Sequence, residues 1–340
     1  MQYTTLGATG LVVSRLALGT WTFTAGNQDL PQIYKVDGAL ADRLVGRALD
    51  AGVNLFDTAD AYASGEAEML LGHALKDRRK NAVITTKVGF RNGPELDDVG
   101  LSRRNILRSV DLSLKRLGTD WIDLYIAHKE DPFTPLEETL AAFDAVVRSG
   151  KVRYVGFSNW SAWKAAAAVE FQRANGLAPF THGQMYYSLL GRDVEHDVIP
   201  MLRHFGLGLT VWSPLAMGFL AGDPDRRYDS FDIFPFEKAF GLKVVEQLRK
   251  IAADHDASIA QVALAWLLSK LAVSSIISGI TRPEQLDDNI RATELRLAPE
   301  AIVEIDALTA PAPLYPNWHN AKFLDSAMAK ALGPRQGRPD

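Results

Sequence analysis

Four residues of the 340-residue chain carry side chains that could share proton chemistry: Asp57, Tyr62, Lys87 and His128. Asp57 follows the apolar run Asn54-Leu55-Phe56, Lys87 follows Ala82-Val83-Ile84-Thr85-Thr86, and His128 follows the run Trp121 to Ile126, with Tyr62 on the loop after Asp57. If these runs are neighbouring parallel strands, they deliver a carboxylate, an ammonium and an imidazole to one rim, beside a phenol. The phenol suits the role of proton donor at neutral pH, because its ordinary pKa is about 10. An ammonium at about 4 Å contributes on the order of 4 kcal/mol at an effective dielectric of 20, about three pKa units before screening. Lys87 is therefore expected to bring the Tyr62 phenol toward neutrality. Asp57 would keep Lys87 charged and oriented while offsetting part of that effect, and His128 would orient an oxygen by a hydrogen bond. Taken singly, each residue has a plainer reading: Asp57 as a turn cap in Asp57-Thr58-Ala59-Asp60, Lys87 as a solvated rim residue, His128 as a satisfied core histidine, and Tyr62 as an ordinary loop aromatic. Their joint arrival at one place favours the shared site.

The elements that must position them alternate along the chain. Strand-like runs at Leu16 to Gly19, Asn54 to Phe56, Ala82 to Thr86, Trp121 to Ile126, Val152 to Phe157, Thr181 to Met185, Leu207 to Val211 and Ser274 to Ile277 are separated by longer segments. Helices are expected near Gly38 to Ala51, Glu66 to Lys76, Ser102 to Leu117, Leu136 to Arg148, Ala162 to Asn175, Val198 to Phe205 and Pro283 to Ala292. In the helix after Ser102, Ile106, Val110, Leu114 and Leu117 recur at helical spacing, Ser102 suits the N-cap and Gly118 suits the residue past the end. About eight strand–helix units match a (β/α)₈ TIM barrel, which needs about 250 residues. The surplus falls in an N-terminal hairpin around Gly7-Ala8-Thr9-Gly10, a long loop with an extra helix from Pro214 to about Asp254, and a C-terminal extension. The expected organisation is a single barrel domain over 1–340, with 310–340 as a tail over the barrel surface. A doubly wound dinucleotide fold usually needs a Gly-rich turn after its first strand, and no G-x-G-x-x-G occurs.

Composition narrows the functional classes. A net charge of −4, from 37 Lys+Arg against 41 Asp+Glu, gives no global attraction for nucleic acid or an acidic membrane. The absence of cysteine removes disulfides, thiol catalysis and Cys-ligated metal, and the seven histidines lack ligand spacing. H-E-x-x-H, P-loop and G-x-S-x-G patterns are missing. Neither a basic n-region with an apolar core at the start nor a membrane-length apolar run is present, so a soluble, cytoplasmic protein is the expectation. The oligomeric state stays open.

The segments Asn54 to Tyr62, Thr85-Thr86-Lys87, Asp123 to His128, Gly156-Phe157-Ser158-Asn159 and Gly279 to Asn289 resemble the signatures of the aldo-keto reductases. The likeness runs, in the family's order, from Tyr3 to about Leu297. It implies a TIM barrel, an NADPH-dependent carbonyl reductase and a catalytic tetrad of Asp57, Tyr62, Lys87 and His128. The residue types suit that chemistry, since hydride transfer to a carbonyl builds negative charge on oxygen that a positioned acid must stabilise and protonate. Non-enzymatic, cofactor-sensing β-subunits of potassium channels share this fold and tetrad and form the alternative reading.

The same resemblance implies a cofactor site. Ser158, Asn159 and Gln184 would hydrogen-bond the nicotinamide carboxamide, and Trp212, before Ser213-Pro214-Leu215, would stack on the ring. Gly19, Thr20, Trp21 and Asp57 would lie at the same end, with Ser213, Leu215 and Gly218 toward the pyrophosphate. A lysine usual after Gly218-Phe219-Leu220-Ala221-Gly222 is replaced by Asp223, and Arg226 or Arg227 is the candidate substitute. Arg282, with Thr281, would pair a 2′-phosphate at a helix opened by Pro283, Gln285 and Asn289 would hold the adenine, and Gly279 stands where some branches carry a lysine. NADP is the expected cofactor, with NAD not excluded. Trp21, Phe23, Phe90, Trp160 and Trp318, with Tyr62 and His128, are candidates to wall a pocket for a small-molecule carbonyl substrate. Ordinary loop packing is an equal reading for each of the five aromatics.

Overall fold

The apolar runs form parallel strands because both of their faces are covered, by helices outside and by inward side chains within a closed sheet. The computed structural model describes residues 1–222 and 234–332. An antiparallel pair, β1 (Tyr3–Thr5) and β2 (Val12–Ser14), precedes β3 (Leu16–Gly19), β4 (Leu55–Asp57), β5 (Val83–Val88), β6 (Ile122–Ala127), β7 (Val152–Ser158), β8 (Phe180–Tyr186), β9 (Gly208–Trp212) and β10 (Val273–Gly279). The last eight close into a barrel in the order β10-β3-β4-β5-β6-β7-β8-β9, every pairing parallel. The chain is thus a (β/α)₈ barrel with an N-terminal hairpin, as its alternating pattern predicts.

The helices are α1 (Gly38–Asp50), α2 (Glu66–Leu75), α3 (Arg103–Leu117), α4 (Leu136–Arg148), α5 (Ala162–Asn175), α6 (Val198–Phe205), α7 (Lys238–Asp254), α8 (Ile259–Ser269), α9 (Pro283–Arg291), α10 (Pro299–Thr309), α11 (Asn317–Lys322) and α12 (Ser326–Leu332). The Ser102 hydroxyl accepts from the Asn105 amide at 3.2 Å to start α3, and Gly118 closes it at φ +62°. Helix α8 escapes the periodicity reading because Ala260 through Leu267 are all buried, leaving no polar face to mark a 3.6-residue period. Its start is still legible as a capping box between Ser258 and Gln261.

The hairpin floors the barrel. Leu6 and Val13 are fully buried against Ala17, Leu55, Leu124 and Ile277, which point inward from β3, β4, β6 and β10. Gly7 is required there: it sits at φ +59°, and a Cβ on it would lie 2.4 Å from the Gly208 amide nitrogen. The C-terminal segment behaves otherwise than expected. Residues Ala312 to Leu332 are exposed throughout, with α11 and α12 as short helices, so this stretch does not lie packed on the barrel. Its prolines withhold amides that could tie it to a neighbouring segment. Among the described residues, no helix is long and apolar enough to cross a membrane.

Candidate active site

The period-2 alternation of strands sets the centre of the site. Asp57 pairs in register with Thr85 on β5, so Lys87, two residues on, points to the same interior face just above it. The Lys87 ammonium is fully buried and donates to Asp57 Oδ1 at 2.7 Å, the Thr58 carbonyl at 2.7 Å and the Tyr62 hydroxyl at 3.2 Å. These use all three of its hydrogens. The Tyr62 oxygen accepts, which leaves its own hydrogen for a ligand at the mouth. The second Asp57 oxygen accepts from Gln184 Nε2 at 2.8 Å. His128 follows β6, its amide bonded to the Val88 carbonyl at 2.8 Å, and its ring lies edge-on to Tyr62 at 5.8 Å and to Phe90 at 4.5 Å.

Tyr62 stands at the head of a tight 3₁₀ turn, Tyr62–Gly65, in which Ala63, Ser64 and Gly65 take φ of +47°, +56° and +92°. The two non-glycine residues there occupy a region that costs of order 1 kcal/mol or more each, so surrounding contacts must hold the turn. One is the Tyr34 hydroxyl, which accepts from the Ala63 amide at 3.1 Å.

The electrostatics differ from the sequence expectation at Tyr62. Burial pushes its phenol above the ordinary value and outweighs the opposing pull of Lys87, so the group is held protonated rather than brought toward neutrality. At Lys87 burial works against the charged form, but Asp57 and Tyr62 together reverse this and leave the ammonium raised. Burial, then Lys87 and Lys129, hold His128 well below its usual value, so the ring is neutral at physiological pH. Its Nδ1 is buried without a hydrogen-bond partner. Nε2 is the nitrogen left to meet a ligand oxygen.

A second buried group lies behind the tyrosine turn. Glu68 on α2, fully buried, accepts from Thr86 Oγ1 at 2.5 Å and from Arg116 Nε at 2.6 Å. Beside it, both carboxyl oxygens of Asp60 and the Tyr125 hydroxyl are buried without hydrogen-bond partners. Burial and the nearby Glu68 raise Asp60 well above its ordinary value, tempered by Arg116, by the Ala61 amide and by the Asn92 side chain, which approach outside hydrogen-bonding geometry. Burial, then Asp60 and Glu68, do the same to Tyr125.

The residues implied for cofactor binding form a connected network at the same barrel end. Trp212 Nε1 donates to Asn159 Oδ1 at 3.0 Å, and Asn159 Nδ2 donates to the His128 carbonyl at 3.1 Å and to Ser158 Oγ at 3.0 Å. Asn159 is thus engaged with protein, as is the Gln184 amide nitrogen on Asp57, while the Trp212 ring has Tyr186 at 5.2 Å and Phe234 at 6.2 Å as ring neighbours. Among the described residues, an added Cβ at Gly218 would meet nothing within 4 Å, and one at Gly279 would meet first the Thr22 methyl at 3.9 Å. Ser213 at φ +50°, Leu215 and Gly218 form the adjoining turn, and Gly19 and Thr20 close the β3 side, with the Thr20 amide on the Asp57 carbonyl at 2.8 Å. Arg282 is exposed before Pro283 at the start of α9 and has no ion pair among the described residues. Gln285 Oε1 instead accepts from the Thr281 amide and hydroxyl at 3.0 and 3.1 Å, and Asn289 Nδ2 donates to Ser278 Oγ at 2.7 Å. Asp223, Arg226 and Arg227 lie outside the described residues.

Among the aromatics considered for a pocket wall, Trp21 lies 6.4 Å from the Tyr62 ring and Phe90 packs on His128. Phe23 is fully buried in the helix–strand core, and Trp160, 3% exposed, packs against Phe157 and Phe180. Their apolar surface is already covered by core neighbours, so neither reaches the mouth. Trp318 stays in the exposed tail, with Tyr315 and His319 as its ring neighbours. Residues that sequence reasoning missed include Thr58, whose contribution is a backbone carbonyl and has no side-chain signal, and Tyr34 and Glu66, distant in sequence from the atoms they touch.

Residues 15–310 match the family model of the aldo/keto reductase family. Over 335 residues the chain is 37% identical to a protein of Oryza sativa subsp. japonica named "Probable voltage-gated potassium channel subunit beta", covering 92% of this chain and 98% of that protein. A protein of Arabidopsis thaliana with the same name is 36% identical over 338 residues, 93% of this chain and 99% of its own length.

Proposed function

Because the chain belongs to the aldo/keto reductase family, we propose that it reduces an aldehyde or ketone to an alcohol, with Tyr62 as general acid and a reduced nicotinamide dinucleotide as hydride donor. The observation that carries this reading is the buried Lys87 ammonium bonded at once to Asp57 and to the Tyr62 hydroxyl. A phenol held protonated by burial keeps its proton until negative charge develops on the substrate oxygen. Lys87, charged and fixed by Asp57, then stabilises the phenolate left behind. Neutral His128 orients the carbonyl oxygen by one hydrogen bond and adds no charge that would repel Lys87. Gln184, through Asp57 Oδ2, fixes the rotamer that Lys87 needs.

The residues at this barrel end suit a dinucleotide: the Trp212 indole and the Ser158 hydroxyl, glycine backbone at Gly218 and Gly279 that no other described residue crowds, and the Arg282 guanidinium at the α9 N-terminus, without an ion pair among the described residues. When bound, that cofactor supplies the hydride. Arg282 and the helix end favour a 2′-phosphorylated form, so NADPH is the preferred donor in this reading. A small-molecule carbonyl is the partner, in the cytoplasm.

The names of the two relatives favour a second reading, a cofactor-retaining subunit of a channel assembly. Steady-state oxidation of NADPH and of NADH across aldehydes, ketones and sugar-like carbonyls separates the two. Saturable turnover supports the reductase, whereas tightly retained cofactor without turnover supports the subunit.

A further inference from the structure

One carboxylate outside the tetrad ties two mouth segments together. Glu66 is the first residue of α2 and directly follows the strained turn that carries Tyr62. Its Oε2 accepts three hydrogen bonds from the arm between β3 and α1: the Ala25 amide at 2.6 Å, the Thr24 hydroxyl at 2.9 Å and the Asn27 amide at 3.2 Å. Asn27 Nδ2 adds a longer contact to Ser64 Oγ at 3.4 Å. The same arm contributes Tyr34, whose hydroxyl holds the Ala63 amide, and Trp21, whose ring faces Tyr62.

The arm is anchored differently at its root and at its tip. At the root Phe23 is fully buried, and the Thr24 and Val36 amides pair with the Val36 and Thr22 carbonyls at 2.9 and 3.0 Å. At the tip Ala25, Gly26, Gln28 and Asp29 are exposed, so no packing replaces the Glu66 bonds there. The carboxylate is itself well placed, since the positive end of α2 favours an anion in the first turn. Hydrogen bonds from neutral donors to an ion are the stronger kind.

We propose that Glu66 is a positioning residue whose carboxylate clasps the arm tip 24–27 to the strained turn that carries Tyr62 and thereby holds the Tyr62 hydroxyl in place at the carbonyl mouth. The kinetic consequence rests on the reductase reading, whereas the clasp itself does not. Because the root, which includes Trp21, is held independently, loss of the clasp loosens the tip and the Tyr62 turn without unfolding the barrel or moving Lys87.

The test compares Glu66→Ala, Glu66→Gln and Thr24→Val by amide hydrogen exchange and by steady-state kinetics with NADPH and a small aldehyde. In Glu66→Ala, exchange at the Ala25 and Asn27 amides accelerates at least about tenfold, and kcat with the aldehyde falls about tenfold while its KM changes less than about threefold. The dissociation constant for NADPH stays at the parent value. Glu66→Gln keeps an oxygen acceptor and restores most of the protection, and Thr24→Val, which removes one donor without touching α2, shifts both readouts in the same direction by less. Unchanged exchange at Ala25 and Asn27 in Glu66→Ala overturns the clasp, and accelerated exchange with an unchanged kcat overturns its role in holding Tyr62. A parent protein without turnover defeats the reductase reading instead, and the exchange comparison then decides the clasp alone.

Discussion

The segment from Asp57 to Glu68 builds two buried ionisable groups that obey opposite rules. On its inner side Asp57, Lys87 and Tyr62 form a set in which both Asp57 oxygens and all three Lys87 hydrogens have partners. On its outer side Asp60, Glu68 and Tyr125 are also buried, yet only Glu68 is in an ion pair, with Arg116, and the Asp60 carboxyl and Tyr125 hydroxyl have no hydrogen-bond partner among the described residues. Burial is common to both and cannot separate function from structure. Pairing does: a desolvated lysine stays charged when a carboxylate meets it, whereas a desolvated carboxyl beside another carboxylate keeps its proton. The inner set opens to the mouth with a proton to give. In the outer set Asp60, Glu68 and Tyr125 are buried, and only Arg116 reaches partly to solvent.

The same substitution in the two groups gives the widest contrast. Tyr62→Phe lowers turnover by about a hundredfold or more, the scale of losing a general acid, while fluorescence titration returns the parent affinity for NADPH. Turnover like the parent's would remove Tyr62 from its role. Next in size, Lys87→Met leaves Asp57 as a buried charge without its cation and destabilises the fold by about 3–5 kcal/mol in urea melts at neutral pH. A loss below about 1 kcal/mol would mean that the inner set is not the tightly coupled unit its geometry shows.

The outer group is probed by pH. The unfolded Asp60 titrates near its ordinary 3.8 and the folded one well above. Between these values the folded state keeps a proton that the unfolded state has released. The stabilising contribution is therefore complete below the ordinary value and is lost as pH rises through the folded one. Asp60→Asn should remove this fall, so its stability curve is flatter than the parent's on the alkaline side of 3.8. The Lys87 contribution, with a folded value raised above 10.5, declines only at pH above that figure, so the two windows are separable. Parallel curves for Asp60→Asn and parent would show that Asp60 is ionised and paired after all. The smallest effect is expected for Tyr125→Phe, which deletes an unpartnered buried hydroxyl. It leaves kinetics unchanged and raises stability by about 1 kcal/mol in thermal melts.

The barrel and the meeting of Asp57, Tyr62, Lys87 and His128 at one rim were legible for a common reason. Strands buried on both faces read as apolar runs whatever their neighbours, and in a parallel barrel the residue that ends each run must face one rim. That is how Asp57, Lys87 and His128 could be brought together from residues far apart in the chain. Helix α8 was hidden because a helix buried on every side loses the period that marks it. Phe23 and Trp160 look like loop aromatics in sequence, and only their core neighbours show them covered.

What the sequence determined by itself is which groups exist and where the chain turns: four chemically matched side chains at strand ends, the caps of α3 and a hairpin with glycine at its close approach. What only the tertiary structure decided is the state of those groups. Ionisation depends on desolvation and on partners at 3 Å or so, and neither is a property of spacing along the chain. The Tyr62 phenol moved up rather than down because burial outweighs its lysine. Asp57 and Asp60, three residues apart and identical in type, ended in opposite surroundings because one faces into the barrel and the other is packed behind the turn.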